Sequence, residues 1–136
     1  MFTTEELLDS ESWSEAQQAM KQLFEVEGFQ TYFNEVGNLF VRLKGSENKK
    51  ETILTGSHVD TVKSGGYYDR QLGVLGGYLA VKYLKETYGQ PVRNIEVFYL
   101  AEEEGSRFPF CMWGSKYIAG QVTLVPTHFL VQHVIQ

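Results

Sequence analysis

The chain has 136 residues, 43% hydrophobic and 21% charged, the proportions of one globular domain with a core of its own. Its net charge of −5, with 12 Lys and Arg scattered along the sequence, argues against the clustered basic surface that nucleic acid requires. No stretch approaches the ~20 apolar residues that span a bilayer, the opening "MFTTEELLDSE" is acidic and polar rather than a leader, and the single cysteine, Cys111, rules out an internal disulfide and fits a reducing compartment. A cytoplasmic protein with small-molecule or protein partners is expected.

Ser12 followed by Glu15 has the pattern of a capping box, and Trp13, Ala16, Met20, Leu23 and Phe24 then recur at helical spacing until Gly28 offers a stop. This predicts an amphipathic helix over 13–26. "FQTYF" (29–33) and "NLFVRLKG" (38–45) are rich in aromatic and β-branched residues and are separated by "NEVG", so two strands are expected there. The charged "KGSENKKE" (44–51) reads as a solvated loop. "TILTGS" (52–57) is short and uncharged, as expected of a buried strand in an α/β sheet, with His58 at its carboxyl end.

Residues 72–87, "LGVLGGYLAVKYLKET", carry apolar side chains around much of a helical wheel, with Lys82 and Glu86 as an i,i+4 pair on the wet side. A largely buried helix is expected. "NIEVFYLA" (94–101) is the next strand and delivers "EEE" (102–104) at its own carboxyl end. The last stretch, "QVTLVPTHFLVQHVIQ" (121–136), is apolar, β-prone and nearly free of charge, unlike the finished end of a domain.

Strand, helix, strand with a crossover of this length makes a parallel βαβ unit, and the fold class is α/β. Ligands of such sheets bind beyond the carboxyl ends of the strands. His58 and the acidic run at 102–104 therefore share one sheet edge, although more than forty residues separate them in sequence.

The chemistry available at that edge is metal-assisted hydrolysis. An imidazole at His58 can ligate a metal while its other N–H donates to a carboxylate that fixes the tautomer, and Asp60 is placed for that. Asp69 follows a loop containing Gly65 and Gly66 that can fold back, and a carboxylate can bridge two cations about 3.5–4 Å apart. Glu103 and Glu104 are adjacent carboxylates, one suited to ligation and one to general base work. Taken alone, each has a plainer reading: an H-x-D pair is usually an ordinary loop, "EEE" a solvated acidic turn, and Asp69 a turn or helix-cap residue. Their convergence on one edge is what favours a site.

Other candidates are weaker. "GVLGG" (73–77) lacks the G-x-G-x-x-G spacing of a dinucleotide fingerprint, and its glycines are better explained by close packing of helix on sheet. Cys111, within "FPFCMWG", reads as a buried apolar residue rather than a nucleophile. His128 and His133 are five apart, awkward for one face, and Ser57 and Ser106 have no G-x-S-x-G context.

"GSHVDTV", "GGYYDRQLGVLGG" and "AEEEGSRFPFCMWGSKYIAG" together resemble the allantoate amidohydrolase and N-carbamoyl-L-amino-acid hydrolase family, within the wider dinuclear-metal aminoacylase and carboxypeptidase superfamily. The resemblance runs from about Leu7 to Gly120, with "EEEGSRFP" its most specific element and "NEVGNLF" a further match. It implies a three-layer sheet with flanking helices, of which residues 1–120 are the N-terminal part of the catalytic domain and 121–136 an atypical tail. It further implies that His58, Asp69 and Glu104 are metal ligands, Asp69 bridging two divalent ions, Zn2+ or Mn2+, while Asp60 orients His58 and Glu103 is the general base.

The reaction implied is hydrolysis of a ureido or amide C–N bond in a small molecule, by an enzyme that is a homodimer at full length. "EEEGSRFP" followed by "WGSK" tilts the resemblance toward the allantoate branch, with the carbamoyl-amino-acid, aminoacylase and dipeptidase relatives as alternatives. Members of the family are much longer and carry further ligating histidines, so the expectation is an N-terminal fragment with little or no activity. Arg70 also departs from the small or acidic residue that the family places after its bridging aspartate. A non-catalytic metal- or protein-binding fragment is the alternative from another class.

Overall fold

The computed structural model describes residues 10–47, 51–60, 65–66, 68, 71–105 and 111–121. Helix α1 (Ser10–Val26) starts three residues before the position set by the capping-box pattern, so Ser12 lies inside the helix rather than at its cap. The segment "DSESWSE" holds several capping-type residues, and the pattern alone does not choose among them. The stop at Gly28 is as expected. Its φ is 79°, its N–H donates to Glu25 O at 2.9 Å, and the Phe29 N–H returns to Phe24 O at 3.0 Å, the paired bonds of a Schellman ending.

The two expected strands, β1 (Gln30–Phe33) and β2 (Leu39–Leu43), form a hairpin, paired antiparallel from Gln30↔Arg42 to Phe33↔Leu39. "NEVG" is its turn. Gly37, at φ 86°, donates to Asn34 O at 3.1 Å, while Asn34 Oδ1 accepts the Asn38 N–H at 2.9 Å, so Asn38 enters β2 with its backbone already held.

Strand β3 (Thr52–His58), helix α2 (Gln71–Tyr88) and strand β4 (Asn94–Leu100) make the predicted βαβ unit. β3 and β4 run parallel in register from Thr52↔Asn94 to His58↔Leu100, and the sheet order is β1-β2-β4-β3. A six-residue helix, α3 (Trp113–Ile118), follows the acidic run. The α/β class read from the sequence is the observed one, a mixed four-stranded sheet with helices.

One face of the sheet carries the core, because alternate residues of a strand point the same way. Leu39, Val41 and Leu43 of β2 and Val97 and Tyr99 of β4 meet Met20 and Phe24 of α1 and Val81 of α2. Phe24 stacks on Tyr99 with ring centres 5.3 Å apart and tilts against Tyr78 at 5.1 Å, joining both long helices to the sheet. On the opposite face, the buried Glu96 accepts a hydrogen bond from Arg42 Nε and another from the Tyr32 hydroxyl at 3.2 Å.

Two burial expectations are corrected. β3 was expected to be a buried strand, but among the described residues it is an edge strand, and Ile53 and Leu54 remain 51% and 48% exposed. α2 was expected to be largely buried, yet only Val81 is fully so, and Leu72, Leu75, Leu79 and Tyr83 form an exposed stripe. An apolar run records a capacity for burial, whereas burial itself depends on what lies alongside. Among the described residues no strand pairs with the outer edge of β3.

Gly73 and Gly77 do permit close helix–sheet packing, since a Cβ would come within 2.9 Å of the Ser57 Cβ and 3.1 Å of the Val97 Cγ1, while Gly76 faces open space. Lys82 stands 4.0 Å from Glu86 but pairs more closely with Glu27, just past the end of α1, at 2.8 Å. Cys111, expected to be buried, is exposed, because it precedes α3 in the loop rather than on a core face. No helix among the described residues is long and apolar enough to cross a membrane.

Candidate metal centre

The parallel register places His58, the last residue of β3, directly beside Leu100, the last residue of β4. The segments that leave the two strands therefore meet at one edge. Asp60 is only 1% exposed and joins these segments. Its Oδ1 lies 3.1 Å from His58 Nδ1, and its Oδ2 accepts the Glu104 backbone N–H at 2.9 Å. The Asp60 carbonyl, also 3.1 Å from Nδ1, adds to the grip on the ring.

A proton on Nδ1 shared with Asp60 leaves Nε2 as the lone-pair nitrogen, and this atom is 3.9 Å from Glu104 Oε1. An imidazole nitrogen and a carboxylate oxygen in such proximity, the ring and the Glu104 backbone both held by Asp60, are two donors of the kind that divalent metal ions take.

Burial raises the pKa of Asp60, but the hydrogen bonds from His58 and from the Glu104 amide, with the His58 charge, outweigh it and hold the carboxyl below its usual range. A carboxyl depressed in the folded state contributes stability above its unfolded pKa of about 3.9 and loses that contribution as pH falls through the lower folded value. Asp60→Ala leaves the Glu104 N–H without this acceptor and the His58 Nδ1 with only the backbone carbonyl, at a cost of about 2 kcal/mol near pH 7. Urea unfolding at pH 7 and again below pH 3 checks this: the difference between the proteins should shrink in acid, and equal midpoints at neutral pH would contradict it.

The acidic run is shaped by left-handed backbone on both sides. Glu102, 3% exposed, has φ 52° and turns the chain out of β4, while Met112, at φ 59°, turns it into α3. Between these bends the two stretches are laced together. Met112 N–H donates to Glu103 O at 2.8 Å, Trp113 N–H to Glu102 O at 3.1 Å, and Gly114 N–H to Ala101 O at 2.9 Å. Non-glycine residues hold such φ values only where surrounding contacts impose them.

Asn38, the residue just before β2, supplies one such contact. It is 0% exposed, its Oδ1 accepts the Ala101 N–H at 2.8 Å, and its Nδ2 donates to Gly114 O at 3.2 Å. Glu103 is held from α3, its Oε1 accepting the Ser115 N–H at 2.7 Å and its Oε2 the Ser115 hydroxyl at 2.8 Å.

The structure thus brings His58, Asp60, Glu103 and Glu104 to one edge. Asp69 and Arg70 lie outside the described residues, as do Ser106, His128 and His133. Among the described residues no three side chains of metal-ligating type converge. Asn38, Gly114 and Ser115 were not singled out by the sequence reading, although "NEVGNLF" and "WGSK" hold all three; a polar residue opening an apolar strand was the available signal for Asn38.

Residues 38–132 match Peptidase family M28. The allantoate amidohydrolase of Escherichia coli is 52% identical over 114 residues, covering 84% of this chain and 28% of that enzyme. The allantoate amidohydrolase of Bacillus subtilis is 50% identical with the same coverage. Among solved structures, a hydantoinase/carbamoylase family amidase from Burkholderia ambifaria superposes with a TM-score of 0.78 at 30% identity, covering 87% of this chain and 29% of that one. The chain spans a little over a quarter of the length of these relatives.

Proposed function

We propose, from the premise that this chain belongs to Peptidase family M28, that it carries the first part of the catalytic domain of a metal-dependent hydrolase of ureido or amide C–N bonds, acting on allantoate or a similar small molecule. The observation that carries the reading is Asp60, which fixes His58 through one oxygen and the Glu104 backbone through the other. Such a buried carboxylate orients ligands toward a shared ion.

In this reading His58, through Nε2, and Glu104, through its carboxylate, would hold divalent metal, Zn2+ or Mn2+, with Asp69 as the ligand that two ions would share. When bound, the ions would polarise the scissile carbonyl and lower the pKa of water. Glu103 takes a proton from the attacking water and returns it to the departing nitrogen. Asp60 keeps the His58 tautomer and takes no part in proton transfer.

Residues 1–120 belong to that domain, the complete enzyme works as a homodimer in the cytoplasm, and an N-carbamoyl amino acid is the alternative substrate. By itself the 136-residue chain turns over little or no substrate, because its proposed ligands are too few for two ions.

Calorimetric titration of the purified chain with Mn2+ or Zn2+ tests the site. Saturable binding is expected, weakened about 10- to 100-fold by Asp60→Ala and abolished by His58→Ala. Binding that survives His58→Ala unchanged would sink the assignment. A non-catalytic reading is favoured by one observation, the open edge of β3 beside the apolar stripe of α2, which is a surface for association. Light scattering that finds a defined complex, with no metal uptake, would favour it.

A further inference from the structure

We propose that Ser115 is the positioning residue for the Glu103 carboxylate; this rests on the reading of Glu103 as general base. The plainer interpretation is that Glu103 caps α3. A cap needs one oxygen accepting one orphan N–H near the helix start, and the Ser115 N–H to Oε1 bond at 2.7 Å accomplishes that. It leaves the second bond unexplained. The Ser115 hydroxyl reaches Oε2 at 2.8 Å, although a local acceptor, Met112 O, lies 3.2 Å from the same oxygen.

A hydroxyl has one proton and two lone pairs, whereas an ionised carboxylate only accepts. While Glu103 is ionised, Ser115 donates to Oε2. The lone pairs that Ser115 leaves free are the ones open to a proton from the attacking water, and the two bonds from Ser115 can stay in place while that proton is held. The carboxyl group is thus held at both oxygens, and no proton is gained or lost by Ser115. Two of the four lone-pair directions of the carboxylate are taken by Ser115, which leaves the others for water and the leaving group.

The serine is itself fixed. The N–H of its neighbour Gly114 bonds Ala101 O at 2.9 Å, and Gly114 O accepts from Asn38 at 3.2 Å, so the hydroxyl is presented from a buried, hydrogen-bonded turn. A base displaced by even ~1 Å can lose about a hundredfold in rate. Removing the hydroxyl while the N–H bond remains should cost less.

The test uses a complete enzyme, made by replacing the matching 114 residues of the Escherichia coli allantoate amidohydrolase with those of this chain. Ser115→Ala should lower kcat about tenfold while KM for allantoate and Mn2+ affinity stay unchanged, and Ser115→Thr, which retains the hydroxyl, should restore kcat. Loss of turnover in Glu103→Gln with unchanged kcat in Ser115→Ala would overturn the proposal and spare the base assignment. Full turnover in Glu103→Gln would instead remove the base assignment. Parallel changes in kcat, KM and thermal midpoint in Ser115→Ala would reduce Ser115 to a structural residue and also overturn the proposal.

A measurement on the 136-residue chain itself stands if the hybrid enzyme fails to fold. Glu103→Ala should speed hydrogen exchange at the Ser115 amide about tenfold or more while leaving the Val97 and Tyr99 amides unaffected. No change at Ser115 would mean the grip does not exist in solution.

Discussion

Gly114→Ala is expected to destabilise the folded chain by about 4 kcal/mol, the sum of roughly 1–3 kcal/mol for overpacking and a similar cost for broken buried hydrogen bonds. A Cβ at this position would come within 2.2 Å of Asn38 Oδ1 and 2.9 Å of both the N and O of Ala101. Two of those atoms are backbone and cannot swing aside. The Gly114 N–H to Ala101 O bond at 2.9 Å would have to open, and the lacing that runs on to Glu103 would open with it. Urea unfolding measures the loss, and a midpoint within error of the parent would show that the turn lies further from β2 than described.

Asn38→Ala is expected to cost about 3 kcal/mol, because it strands the Ala101 N–H and the Gly114 carbonyl, each buried, at about 1–3 kcal/mol apiece. The two substitutions touch the same contact. In the double variant the 2.2 Å clash with Asn38 Oδ1 is gone, so the combined loss should fall short of additivity by at least about 1 kcal/mol. Additive costs would mean that Gly114 is constrained by Ala101 alone.

These two residues explain how a sheet built mostly from apolar alternation presents an ordered acidic turn. Asn38, at the entry to the inner strand β2, carries the amide that holds the exit of β4 and the start of α3. Asp60 then ties that turn to β3 at 2.9 Å. Stability and site geometry are thereby linked: a substitution that loosens Asn38 should disturb the Glu104 amide through the turn that joins them.

The strands and the βαβ unit were legible because they rest on local chemistry. Alternating or continuous apolar runs bounded by Gly and polar turns place β1 to β4 within one or two residues of where they lie. The pairing of His58 with the acidic run followed from topology alone, since parallel strands joined by a helix must present their carboxyl ends together. Where the sequence misled, burial was at issue. Ile53, Leu54 and the stripe on α2 are as apolar as core residues, and nothing in their own segments says whether another element covers them.

By itself the sequence determined the four strands, the two long helices, the α/β class, the family and the edge at which His58, Asp60, Glu103 and Glu104 gather, because periodicity, turn chemistry and motif are properties of short segments; it did not reveal α3. Only the tertiary structure decided what each side chain is bonded to. That Asp60 spans His58 and Glu104, that Asn38 anchors the acidic turn, and that Ser115 grips both oxygens of Glu103 depend on contacts between residues as much as 76 positions apart. Hydrogen bonds act over about 3 Å, and which groups come that close is set by how the sheet and helices pack.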